Sequence, residues 1–97
     1  MIDYLLKFPS KSIAEQFGIA HGFASVDKNG VIITVFASHE YALHEIGEHN
    51  GKDYWVLFRD LVGIPVPAEA DQFIIWVSSS DTPRPTEDAD IPNVFWA

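Results

Sequence analysis

No cysteine occurs among the 97 residues, which excludes a disulfide framework, a thiolate metal site and a cysteine nucleophile. The absence fits a reducing compartment. Basic residues are scarce, six lysines and arginines against fourteen acids. Nucleic-acid binders need such residues to displace counterions from phosphate, so direct nucleic-acid binding is not expected. No stretch approaches the roughly 20 apolar residues of a membrane span. Met1-Ile2-Asp3-Tyr4 lacks the basic start and long apolar core of a signal peptide. A cytoplasmic protein with no membrane partner is the expectation.

The length suits one hydrophobic core, and 47% apolar residues with 13% aromatics can fill it without metal or disulfide help. The charge is unevenly placed. Residues 1–39 carry Asp3, Glu15 and Asp27 against Lys7, Lys11 and Lys28, which cancel. Residues 40–97 carry eleven acids against Lys52, Arg59 and Arg84, and so hold the whole net charge of −8. Solubility explains such a charge, and so does a surface that faces a basic partner.

Ile2–Phe8 is short and apolar and stops at Pro9, as a strand would. Ser10 or Ser12 can cap a helix with Ile13, Ala14 and Phe17 on one face, Glu15 completing a capping box with Ser12 and Gly18 ending the helix. Phe23–Asp27 and Val31–Phe36 flank Lys28-Asn29-Gly30, the pattern of a β-hairpin. Ala37–Gly47 is ambiguous. A helix puts Ala42, Leu43 and Ile46 in a stripe; a strand pairs Tyr41 with Leu43, and Ala42 with His44 and Ile46. The strand is preferred for its second half, because Asn50-Gly51 is a further turn and Tyr54–Phe58 follows as the hairpin mate.

Gly63, Pro65 and Pro67 make 62–70 a loop. Gln72–Val77 is apolar on both faces, which suggests a central strand or one covered by a partner. Residues 78–97 read as an extended, acidic, mobile tail whose apolar end, Val94–Ala97, docks back on a domain formed by 1–77. The expected architecture is α+β, a small, mostly antiparallel sheet with one short helix packed on a face.

Three of the four histidines lie in Ser38–His49, interleaved with Glu40, Glu45 and Glu48. A zinc-protease helix needs two histidines four apart. His39 and His44 are five apart, which turns the second about 140° from the first in a helix and places it on the opposite face in a strand. Glu40, His44 and Glu48 would share a helix face, a weaker metal set that conflicts with the strand reading. No serine sits in a glycine-flanked elbow, no glycine-rich loop feeds a helix, and the pair Glu87-Asp88 lies in the tail. No cofactor is expected, and a metal-dependent enzyme ranks third among the readings.

The aromatics point to binding. Alternation puts Tyr54, Val56 and Phe58 on one side of a strand and Trp55, Leu57 and Arg59 on the other. Either both sides are core, one under the helix and one under the tail, or one side is a partner or self-association surface, since tryptophan, tyrosine and arginine dominate interface hot spots. In the second reading Tyr54, Trp55, Arg59 and Trp76 bind the partner, with Glu45, Glu48, Asp53 and Asp60 as its acidic component.

Ile46-Gly47, the turn after it, the strand Tyr54-Trp55-Val56-Leu57-Phe58-Arg59 and the ending Val94-Phe95-Trp96-Ala97 resemble a loose group of short proteins of tailed bacteriophages. In that group the strand has the form Trp-His-Val-Asn-Leu-Arg and the terminus ends Val-Trp-Ala; Val56 and Arg59 match the strand outright. The resemblance covers under half the chain, implies a phage or prophage origin, and brings no catalytic residues. Two functions then compete. One is a virion or tail-associated component that packs against itself or a neighbouring protein. The other is an acidic nucleic-acid mimic that inhibits a host defence complex of the anti-CRISPR or anti-restriction kind.

Because no ligand set has the spacing a metal needs, a chelator should leave the melting temperature unchanged. A large drop, measured by circular dichroism, would revive the histidine cluster.

Overall fold

The computed structural model describes residues 1–64 and 66–94. Strand β1 (Ile2–Phe8) pairs antiparallel with β5 (Lys52–Asp60) on one side and with β6 (Ile74–Val77) on the other. β5 also pairs antiparallel with β4 (Tyr41–His49), so the order is β4-β5-β1-β6. The ambiguous segment is therefore strand from Tyr41 onward. Its turn to β5 is the two-residue Asn50-Gly51, with φ of 54° and 71°, the left-handed pair that asparagine-glycine favours and that matches strand twist.

β6 lies at the sheet edge, and the expectation of a central strand is corrected. It has only four residues, and the register shifts between Leu5 and Leu6 so that Ile75 bulges outward, 48% exposed. Its two-sided apolar character arises because Ile74 packs on one face of the sheet and Trp76 on the other.

Helix α1 (Lys11–Ala20) starts at Ser10, whose extended backbone and hydroxyl acceptor for the Ile13 N–H cap the first turn. Ser12 is already inside the helix, so the Ser12–Glu15 capping box does not form. Gly18 does not end the helix either. Gly22, with φ of 83° just past the His21 cap, takes the left-handed position. Gly18 instead permits close approach, since a Cβ there would meet the Ala24 Cβ at 3.3 Å. Ala24 opens the separate hairpin of β2 (Ala24–Val26) and β3 (Ile32–Thr34). Asp27 organises its loop by accepting from the N–H groups of Asn29 and Val31.

Both faces of the sheet carry core. On one, Leu6, Phe8, Tyr54 and Val56 are buried against Ile13, Ala14 and Phe17 of α1. On the other, Leu5, Trp55, Leu57 and Trp76 are buried with Val94, and Ile46 and Ile91 pack on them. A bulge at Ile46-Gly47, both opposite Trp55, lets Ile46 cover that indole. Residues 78–94 have no regular structure yet are tied to the sheet. Trp76 Nε1 donates to the Thr82 carbonyl at 2.9 Å, Asn50 Nδ2 to the Ala89 carbonyl at 2.7 Å, and Lys52 Nζ meets Asp90 at 3.1 Å. Val94 is buried, 3% exposed; the rest of the segment expected to dock, Phe95, Trp96 and Ala97, lies outside the described residues.

Asp60, 2% exposed, ends β5 and accepts from the N–H groups of Val62, Gly63 and Ile64 at 3.1, 2.8 and 3.1 Å. Burial pulls its pKa up, but those three donors and the N-terminal ammonium outweigh burial and hold it below the ordinary aspartate value. The stability it contributes is thus fully present above the unfolded-chain pKa of roughly 3.9 and is lost as pH falls through the lower folded value. Asp60→Asn keeps the shape and removes the charge. It should cost about 1–3 kcal/mol at neutral pH, and urea melts should show the gap between wild type and variant closing as pH drops below about 4.

Candidate functional site

Five of the eight residues expected to bind a partner are built into the fold. Tyr54, Trp55 and Trp76 are 7%, 2% and 8% exposed, so the two-sided core is the arrangement found and the aromatic docking face is corrected. The helix covers Tyr54, and the 78–94 strap covers Trp55 and Trp76. Arg59 is engaged with Asp3 in a bidentate pair, Nε to Oδ1 at 2.7 Å and the second nitrogen to Oδ2 at 3.0 Å. Asp60 caps the turn after β5 and presents no charge to a partner.

The remaining three acids divide. Asp53 sits at a bulge with φ of 48° and approaches Lys7 at 3.7 Å. Glu45 and Glu48, opposite Val56 and Tyr54 in the β4–β5 register, are exposed on the helix side of the sheet. The other acids are dispersed, Glu69 and Asp71 on a 3₁₀ helix (Ala68–Gln72) and Asp88 and Asp90 on the strap. The histidines do not converge. Among the described residues no three histidine or carboxylate side chains come together as a metal set, and His49 Nε2 lies 2.6 Å from the Asp88 carbonyl.

Tyr54 donates its hydroxyl to Glu45 Oε2 at 2.9 Å. Burial, that hydrogen bond, and the charges of Glu45 and Glu15 together push the phenol pKa well above its usual value. The phenol is consequently a fixed donor at neutral pH and orients the Glu45 carboxylate. Beside it, a small open cleft of about 50 Å³ runs between α1, the hairpin and the sheet, walled by Phe8, Phe17, Leu43, Val56 and Phe58. A second apolar hollow of about 40 Å³ shares Leu6, Phe17, Phe23 and Phe58 with it and extends toward Ile64 and Val66.

Sequence reasoning missed the hairpin as a surface. Val26, Val31, Ile32, Ile33, Val35 and Phe36 are all between 36% and 56% exposed. Phe23 anchors its base, edge-on to Tyr41 and Phe58 at ring distances of 4.9 and 5.3 Å, while the strands beyond project from the sheet. The signal was present in Val31–Phe36, a run apolar at alternate and intervening positions alike, although a two-stranded ribbon cannot bury both faces by itself. No family model, no curated protein and no solved structure matches this chain.

Since Trp55 lies in the core, Trp55→Ala should lower stability by about 3–5 kcal/mol. Denaturant unfolding should register that loss. A variant of unchanged stability would return Trp55 to the surface.

Proposed function

We propose that this chain is a self-associating protein-interaction module whose docking surface is the β2–β3 hairpin. The observation that carries the reading is the exposed apolar set Val26, Val31, Ile32, Ile33, Val35 and Phe36 on an isolated two-stranded sheet. Exposed hydrophobic strands with open edges are templates for pairing with another strand, and apolar patches of this kind mark interaction sites.

A second copy is the occupant that the charges favour. Between Gly22 and Ser38 the only charged side chains are Asp27 and Lys28, which cancel. Two hairpins can thus meet while the acidic half of each chain stays apart, and related copies supply matching strand edges under a two-fold axis. The likeness of the C-terminal half to short tailed-phage proteins agrees with a component that packs against copies of itself, in a virion or in the host cytoplasm.

Thr34 and Ala24 are register partners that face α1, so Ile33, one residue along, points to the opposite side. Ile33→Lys should therefore abolish association at little cost to the fold. Sedimentation at micromolar concentration should give a dimer or larger species for the wild type and a monomer for the variant, with melting temperatures differing only slightly. A wild-type monomer throughout the range would sink the proposal.

A further inference from the structure

We infer that the cleft between α1, the hairpin and the sheet is a binding site for a small amphiphilic amine, an apolar body carrying a protonated ammonium head. The inference stands on the cleft and its lining, independently of how the hairpin associates.

The cleft exists because α1 packs on the sheet without closing fully over it. None of its residues is fully buried, and Ile13, Ala14 and Phe17 are only half-covered. Gly18 braces the helix against Ala24 of β2, so helix and hairpin form one wall and the sheet the other. The cleft is open to solvent on one side and its interior volume is only about 50 Å³, so its occupant is a slender chain rather than a bulky ring system. Its body is aromatic and aliphatic, and it continues into the second apolar hollow through Phe17, Phe23 and Phe58.

The polar end decides the class of ligand. The charged groups among the described lining residues are Glu15 and Glu45, and no lysine, arginine or histidine is among that lining. Tyr54 fixes Glu45 by donating to one oxygen, Oε2, which leaves the other oxygen of that carboxylate for an incoming donor. A fatty acid or phosphate ester would bring a negative head against two carboxylates. An ammonium head would instead form charge-assisted hydrogen bonds there while its chain covers Leu43, Val56 and Phe58.

The test is a nuclear magnetic resonance titration of the full chain with hexylammonium, hexanoate and hexanol. Hexylammonium should shift the amide signals of Gly18, Leu43, Val56 and Phe58 saturably and bind about tenfold more tightly than hexanoate. In the double variant Glu15→Gln, Glu45→Gln, which keeps the acceptor for Tyr54, the preference for the amine should disappear while hexanol binds as before. Equal affinity of amine and carboxylate for the wild type, shifts confined to residues outside the cleft, or no saturable shift would each overturn the inference. So would a double variant that retains the preference.

Discussion

The pairing of β1 with β5 is the constraint on which everything else depends. The seven register pairs from Ile2↔Asp60 to Phe8↔Tyr54 bring together two strands that are apolar on both faces, with Leu5, Trp55 and Leu57 on one side and Leu6, Phe8, Tyr54 and Val56 on the other. Neither face can be left to water, since exposing each such side chain forgoes roughly 1.5–3 kcal/mol. The chain meets the demand asymmetrically. One face receives an amphipathic helix, and the other an irregular strap pinned by side-chain bonds to backbone carbonyls at Thr82, Asp88 and Ala89.

Buried polarity is arranged at one end of that same pair. Asp3 and Asp60 are the described buried acids, and each is satisfied, Asp3 by the Arg59 fork and Asp60 by three backbone donors. A buried carboxylate is tolerated only with such partners. Three charges that composition alone assigns to the surface are thereby absorbed into architecture, and the acidity left outside is scattered over the β4 edge, the 3₁₀ helix and the strap.

Of the twelve large apolar side chains exposed among the described residues, six lie on the hairpin and the strand leaving it. The hairpin's aliphatic strands extend past the aromatic cluster of Phe23, Tyr41 and Phe58, and its Ala24 packs closely against Gly18 of α1. The exposed ribbon and the open cleft thus lie on the two sides of one wall, formed by α1 and the hairpin. Self-association would use the outer side of that wall, and an amine would use the inner side.

Local chemistry determined much of this from the sequence by itself. Asn50-Gly51 and Lys28-Asn29-Gly30 announced their turns because left-handed backbone favours glycine and asparagine, and period-two alternation placed Trp55 and Leu57 opposite Tyr54 and Val56 because strand side chains alternate. The same rules fixed β1 and the α+β class. Only the tertiary structure decided which faces are covered. Trp55 is core because a strap distant in sequence lies over it, Asp60 is interior because a turn closes on it, and β6 is an edge because no described strand pairs with its side away from β1. Gly18 serves a contact with Ala24 rather than a helix end, and Val31–Phe36 is exposed because, among the described residues, its hairpin meets β4 only at the end, near Phe36 and Ala37. Burial is a property of what crosses a residue in space, and alternation along one strand carries no information about that.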